Sequence, residues 1–487
     1  MNHIEQISTC EQELLHLSGH ILSHGTLIVA NEAGCITHYA KNIADFFIYP
    51  PTLHSQLPDE LQVLASQLSK EPGKRLIVEH LQNGMRQQVD VIISRGENGQ
   101  IILEFLSSRA TDIRNRLYMG LPVMIQDEES LLEARKILVN RVAELTGFQR
   151  VMYYLFHDNG DGEVVAEARL TDAYGSYLGL RFPDSDIPHI ARALYIKNPW
   201  RLIPDVVADA VPIVGEETPV DLSFTDLRSV SEMHRVYLQN MGVRASLSFP
   251  IVVSGKLFAL IAAHHQMAAY PTVHELQLAQ SEVKNHTLTL ISYLSQRRLR
   301  LIDSIAQRFK PFEQILQRHG DLGTAWPELG AWLIEEFNAD GAILVQNNLA
   351  LGVGLCFSSE ALDYLDHWFV TEQSELIWSS DHLHKQVDGM PLSEIAGVLA
   401  IKFGRPQGDS QAQTRVYLTR AEYVYEVEWG GTPEKPIEYH DGLLGIAPRR
   451  SFEKWVEKRL GYSRPWTNEN RLFALKCRET LLQEKKR

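Results

Sequence analysis

From Thr272 to Phe309 the chain contains neither proline nor glycine. Within that stretch Leu276, Val283, Leu290, Leu294, Leu301, Ile305 and Phe309 recur, on average, about 3.5 residues apart. A continuous helix is the structure such a stretch forms, and it is longer than one globular core needs. The helix therefore splits the chain into parts that fold before it and after it. Its apolar stripe fits either a buried spine or the seam of a dimer, and the polar opposite face favours the seam.

At 487 residues the chain exceeds a single hydrophobic core and divides into about three domains. A net charge of −14 removes the positive surface that nonspecific nucleic-acid binding requires. No apolar run reaches the ~18–20 residues of a membrane helix, and the N-terminus lacks the basic start and apolar core of a signal peptide. A cytoplasmic protein with neither nucleic acid nor membrane as partner is expected. Cys10, Cys35, Cys356 and Cys477 form no CxxC pair, which argues against a zinc site or a disulfide framework.

After an N-terminal segment (1–25), apolar runs at Thr26–Ala30, Leu76–Glu79, Val89–Ser94 and Gln100–Phe105 suit strands. Asn83-Gly84 and Asn98-Gly99 supply turns, and a helix fits near Glu60–Leu68. Over 26–120 this content resembles a PAS sensor domain. Over 128–300, an amphipathic helix sets Leu131, Leu132, Ile137, Leu138, Val142 and Leu145 at helical spacing, with Gly147 as its C-cap. Strands at Arg150–Phe156, Gly162–Ala168, Ser246–Val253 and Lys256–His264 follow, the last two joined at Ser254-Gly255, an order that resembles a GAF domain. The connecting helix covers 272–310. From 311 to 487, strands are expected at 396–403, 414–420 and within 422–431, and a last helix starts near Thr467, a suitable N-cap.

The segment Pro183-Asp184-Ser185-Asp186-Ile187-Pro188 has its backbone fixed by two prolines. It can hold a carbonyl and a carboxylate still against a ligand, although an aspartate there could also cap the helix that begins at His189. Arg201, Arg228, His234, His264 and His265 follow. A guanidinium pairs a carboxylate bidentately, fixing its orientation as well as its charge. Adjacent residues of a strand point to opposite faces, so His264 and His265 cannot share one ion, and no metal site is expected.

The segments 181–206 and 228–266 closely resemble the chromophore-pocket signature of phytochromes, bilin-binding red/far-red light receptors. Residues 10–25 resemble the N-terminal segment of the bacterial members: Cys10, Glu13, Gly19, Ile21, His24 and Gly25 match, whereas Ser18, Leu22 and Ser23 depart from the pattern. Trp429-Gly430-Gly431 and Pro448-Arg449-Arg450-Ser451-Phe452 resemble the two arms of the tongue, a hairpin of the PHY domain placed here at about 425–455. The resemblance implies an α+β, three-domain PAS-GAF-PHY fold with antiparallel sheets, a long connecting helix and a tongue hairpin.

It also implies roles for particular residues. Cys10 would carry biliverdin IXα as a thioether. The GAF segment has no cysteine, and Met233 stands where plant and cyanobacterial phytochromes place theirs, which selects biliverdin. The main-chain carbonyl of Asp186, with Ile187 and Pro188, would face the pyrrole nitrogens. Arg201 and Arg228 would bind the propionates, aided by Ser231, Ser246 and Ser248. His234 would lie near the pyrrole nitrogens and His264 would bind the D-ring carbonyl, within a wall of Tyr154, Phe182, Tyr195 and Tyr237. Arg449 would pair with Asp186 in the dark Pr form, and Ser451 would replace it in Pfr. Ala263 stands where the family commonly has cysteine. That change should leave the D-ring contact intact.

The expected function is a red/far-red switch that passes D-ring isomerisation through the tongue and long helices, in a homodimer, to an output module. No kinase, cyclase or response-regulator signature is present, and no enzymatic activity is expected of this chain. The alternative is a non-photochemical PAS/GAF small-molecule sensor, which leaves Cys10, Arg449 and the tongue motifs unexplained.

Overall fold

A computed structural model describes residues 13–109, 123–170, 175–346, 349–403, 414–434, 437–440, 443–446 and 451–484. Cys10, Pro448 and Arg449 lie outside the described residues. The chain forms two compact units: one runs through Tyr293 and includes Glu428–Trp455, and the other comprises Leu294–Val427 and the residues from Val456 onward.

The first unit opens with β1 (His20–Leu22), β2 (Gly25–Ala30), β3 (Ile36–Ala40), α1 (Asp59–Ser66), β4 (Arg75–Leu81), β5 (Val89–Arg95) and β6 (Ile101–Ser107). Alternation along the strands builds two cores. Ile28, Val91, Ile93, Leu103 and Phe105 pack with Phe46, Phe47 and Leu61 on one face. Leu27, Val29 and Ile102 meet Ile21, Leu222 and Leu227 on the other. With both faces covered, the strands are apolar almost throughout.

Next come α2 (Glu128–Thr146), β7 (Arg150–Phe156), β8 (Gly162–Arg169), β9 (Arg181–Phe182), α3 (His189–Lys197), β10 (Arg201–Ile203), β11 (Ala210–Gly215), α4 (Glu232–Asn240), β12 (Ala245–Val253), β13 (Lys256–His265) and α5 (Val273–Arg308). Asp127 and Ser130 form a capping box at the start of α2, and Gly147 ends it at φ 73°. Leu131, Leu138, Val142 and Leu145 are buried as expected, but Leu132 and Ile137 face solvent. Antiparallel pairing runs β10-β12-β13-β7-β8-β9. Ser254 and Gly255, at φ 51° and 77°, turn β12 into β13.

Strand β11 leaves that sheet and pairs with β3 and β1 of the first. The N-terminal segment consequently lies between two stretches of the later chain. On one side Ile213 donates its N–H to the Gly19 carbonyl; on the other, Leu22 donates to Leu227 and Ser229 to His20.

The α5 stripe is a buried spine rather than a dimer seam. Leu276, Val283 and Leu290 are buried in the first unit, and Ile305 and Phe309 join the core of the second, with Leu301 packed against it. The period was right; the covering surface comes from the same chain. Different residues of α5, namely Leu288, Ile291, Leu299 and Ile302, remain exposed.

The second unit holds α6 (Lys310–His319), α7 (Leu322–Phe337), β14 (Gly341–Gln346), β15 (Leu349–Gly354), α8 (Ser359–Thr371), β16 (Ile377–Ser380), α9 (Leu383–Gln386), β17 (Ile395–Phe403) and β18 (Thr414–Ala421). Its sheet runs β15-β14-β18-β17-β16, with apolar cores on both faces. The expected strand within 422–431 is shorter: β19 (Tyr425–Gly430), which pairs with β9 instead. β20 (Ile437–His440) and β21 (Leu443–Ile446) follow and belong to the first unit, and β22 (Lys454–Arg459) and α10 (Asn468–Glu484) complete the chain's elements. Thr467 Oγ1 accepts the Asn470 N–H, as an N-cap does. Among the described residues, no helix is long and apolar enough to cross a membrane.

Candidate functional site

Asp186, Ile187, Pro188, Tyr154, Phe182, Tyr195, Arg201, Arg228, Ser231, His234, Tyr237, Ser246, Ser248 and His264 all line one cavity of about 180 Å³ in the first unit. Sheet register explains part of this. Ser248 pairs with Arg201 and Ala262, and Ser246 with Ile203 and His264, so their side chains share one face. Glu13, Met152, Tyr177 and Asn198 line the cavity as well and were not anticipated there.

The proline-bracketed segment forms a 3-10 turn at Asp184–Asp186, followed by α3. Asp186 does not cap that helix; its N-cap position is Pro188, without a side-chain bond. Instead Tyr237 Oη donates to Asp186 Oδ2 at 3.0 Å, tying the turn to α4. Arg192, which sequence reading passed over, is the main clamp. It pairs with Asp184 Oδ1 at 2.6 Å and donates to the carbonyls of Ile187 and Gly160 at 2.7 and 2.9 Å. Its guanidinium also lies 4.4 Å from the Phe156 ring centre. Gly160 allows this approach: at φ 90°, a Cβ there would sit 2.3 Å from Asp184 Oδ1.

Arg201 and Arg228 supply positive charge that is poorly solvated. Arg201 donates from Nη1 to the Asp226 carbonyl at 2.7 Å, and from Nη2 to the carbonyls of Arg228 and Ser229. Those bonds leave two of its five N–H groups for anything in the cavity. Arg228 is only 8% exposed, and its Nη1 is buried without a hydrogen-bond partner. Burial, then the neighbouring Arg201, pulls the Arg228 pKa down to about 9, so it remains charged at neutral pH. His24, buried near Arg201, is pulled down to about 3 and is neutral. Partial burial raises the pKa of Glu13, against the opposing pull of the Ser231 hydroxyl.

His264 is 7% exposed. Burial, then the charge of Arg150, then His234 hold its pKa well below the ordinary histidine value. His234 stacks on Tyr237 with ring centres 6.1 Å apart, and its backbone N–H donates to Ser231 Oγ, the N-cap of α4. Arg150 was also missed. The signal was available, because Arg150, Met152 and Tyr154 alternate onto one face of β7.

The tongue arms meet the same region. Trp429 is buried and pairs with Arg181, and a Cβ on Gly430 would lie 2.6 Å from the Phe182 ring. Gly431 follows at φ 91°. Phe452 packs edge-on against Tyr237 at 5.1 Å and shares a core with Tyr154 and Phe182. Ser451 is exposed, and its Oγ accepts the Glu453 N–H at 3.4 Å.

The arrangement suits a flat, largely apolar ligand that carries anionic groups and a hydrogen-bond acceptor. Comparisons with known proteins agree on the kind of chain this is. Residues 130–283 match the family model of the GAF domain, and residues 313–487 that of the phytochrome region. The chain is 31% identical to cyanobacterial phytochrome B of Nostoc sp. and 30% identical to a bacteriophytochrome of Pseudomonas aeruginosa, over 98% of its own length in both cases. It spans 66% of the length of each of these relatives. Among solved structures, the photosensory core module of Stigmatella aurantiaca phytochrome matches with a TM-score of 0.79 at 27% identity, covering 98% of both chains. A bacteriophytochrome from R. palustris matches with a TM-score of 0.73 at 26% identity, covering 96% of this chain and 97% of that one.

Proposed function

This chain belongs to the phytochrome family as a bacteriophytochrome photosensory module, and from that premise we propose that it is a red/far-red photoreceptor that carries covalent biliverdin IXα. The observation that carries the reading is Arg228. A buried guanidinium with an unpartnered Nη1, beside a second guanidinium, is costly until an anion arrives. A tetrapyrrole brings two propionates to that point and a flat ring system to the aromatic wall.

In this reading Arg228 and Arg201, with Ser231, Ser246 and Ser248, hold the propionates. The Asp186 carbonyl, with Ile187 and Pro188 beside it, accepts from pyrrole N–H groups near His234. His264 donates to the D-ring carbonyl, and Tyr154, Phe182, Tyr195 and Tyr237 pack around that ring. Cys10 is the attachment point. When bound, the bilin supplies red-light absorption and isomerisation about its C15=C16 bond, the start of the Pr/Pfr cycle. Arg449 pairs with Asp186 before light and Ser451 after it, and the tongue arms at Trp429–Gly431 and Pro448–Phe452 change packing with that exchange. Long helices carry the change to an output module, within a cytoplasmic homodimer that uses the exposed Leu288, Ile291, Leu299 and Ile302 of α5. The domain limits we propose are PAS 26–120, GAF 128–300 and PHY 311–487.

The test is the absorption spectrum of the biliverdin-loaded chain before and after red light. A far-red-shifted photoproduct is expected, and an unchanged spectrum sinks the reading. Zinc-induced fluorescence on denaturing gels should be present in the wild type and absent in Cys10→Ala. Fluorescence that persists in the variant removes Cys10 as the attachment point.

A further inference from the structure

The antiparallel register of β7 and β13 places Arg150 directly opposite His264. Arg150 is 1% exposed, and its Nη2 lies 3.0 Å from His264 Nδ1. The guanidinium is held in that position. Its Nη1 donates to the Gly175 carbonyl at 3.3 Å, and its centre lies 3.9 Å from the centre of the Tyr177 ring, a cation–π distance.

A guanidinium has only donors. Nδ1 of His264 must therefore present its lone pair to Arg150, and a neutral ring then carries its hydrogen on Nε2. A doubly protonated ring is excluded by burial and by the adjacent positive charge. We propose that Arg150 is a positioning residue that fixes the tautomer of His264, so that the ring offers the cavity an N–H donor rather than a lone pair.

The consequence is a specificity filter. A ligand that places a carbonyl oxygen at Nε2 completes the bond. One that places an N–H or a methyl group there leaves a buried donor unpaired, which costs about tenfold or more in affinity. This step rests on the bilin reading only for the identity of the carbonyl, the lactam oxygen of a terminal pyrrole ring. The tautomer itself belongs to the protein.

Nitrogen NMR of the full chain labelled with 15N-histidine tests the proposal, with the His264 signals assigned by their loss in His264→Gln. Without biliverdin, the wild type should show an imine-type Nδ1 and a pyrrole-type Nε2. A protonated Nδ1 overturns the proposal, with no variant needed. In Arg150→Met the minor Nδ1–H form should rise by about tenfold, the factor carried by a hydrogen bond to a charged group. Arg150→Lys, which again has only donors, should restore the wild-type pattern. An unchanged single tautomer in Arg150→Met overturns the assignment of cause. Should that variant fail to fold, a protonated Nδ1 in Arg150→Lys does the same. With biliverdin added, the absorption maximum should move in Arg150→Met and return in Arg150→Lys. A wild type that binds no biliverdin defeats the bilin reading but leaves the tautomer result standing.

Discussion

Two arginines of the first unit whose guanidinium nitrogens are buried sit in different surroundings. Arg75, on β4, faces two carboxylates: Asp226 at 2.7 Å and Glu104 at 3.8 Å, with the ring of Trp200 at 5.4 Å. Arg228, in the cavity, faces a second guanidinium. In the Arg75 cluster acid is in excess, and burial followed by the charge of Asp226 pushes Glu104 up to about 8, so the surplus charge is cancelled by a proton. An arginine has no such escape. At about 9, Arg228 keeps its charge at neutral pH; Asp226 and Asp221 attract it less than burial and Arg201 oppose it, and its Nη1 still lacks the hydrogen-bond partner that an anion from outside can supply. The first cluster carries its counter-charges within the chain, although Arg75 Nε and Nη1 lack hydrogen-bond partners too; among the described residues Arg228 forms no ion pair, and its charge is left for a ligand to meet.

The same substitution at the two arginines should therefore have opposite signs. Arg75→Met leaves Asp226 and Glu104 buried without their cation and should cost about 3–5 kcal/mol in urea unfolding of the ligand-free protein. A loss below about 1 kcal/mol would mean that the cluster is not held by its ion pairs. Arg228→Met removes a buried charge that lacks a full set of partners. It should leave the ligand-free protein as stable as the wild type or more so, by up to about 1 kcal/mol. Its biliverdin affinity should nevertheless fall by about 10–100-fold, the worth of a hydrogen bond to a charged group. Equal destabilisation by both substitutions would break the contrast.

Much of the cavity was legible because its chemistry is local. Two prolines fix the turn around Asp186 whatever surrounds it, and strand alternation puts Ser246, Ser248 and His264 on one face. Arg192 and Arg150 were not legible in the same way. Each is an ordinary basic residue in sequence: Arg192 clamps Asp184 and Ile187 only once the turn is folded under it, and alternation gives Arg150 a face but no partner until pairing sets it opposite a strand 114 residues away. The α5 stripe shows a different limit. Its period reveals an apolar face, but the rings that cover its second half, such as Trp332 and Phe473, come from distant helices of the same chain. Likewise no local pattern in β11 or β19 announces that each leaves its neighbours in sequence for another sheet.

A milder perturbation asks whether the cavity's own polar contacts are as self-sufficient as those around Arg75. Tyr237→Phe keeps the ring against Phe452 and deletes the hydroxyl that donates to Asp186. The ligand-free protein should lose about 0.5–1.5 kcal/mol. In the biliverdin-loaded chain the thermal reversion rate after red light should change, because Asp186 is the residue the tongue is proposed to exchange. An unaltered reversion rate would separate the Tyr237 bond from switching.

The effect that is smallest at acid pH and grows with pH is expected at Glu104, where the proton makes the difference. Its Oε1 accepts the Leu227 N–H at 2.7 Å, and the amide oxygen of Glu104→Gln can accept the same bond. The folded state raises this carboxyl from 4.5 to about 8, so the fold binds a proton that the unfolded chain has released between those values. That contribution is fully present below about 4.5 and is lost as the pH rises through about 8. At pH 4 the two proteins should differ by no more than about 0.5 kcal/mol in urea unfolding. Between about pH 5 and 8 the wild type should progressively lose stability relative to Glu104→Gln, which has nothing to ionise, and above that the gap should level off. Parallel profiles would mean that Glu104 is already charged at neutral pH, and that the surplus acid around Arg75 is not cancelled by a proton after all.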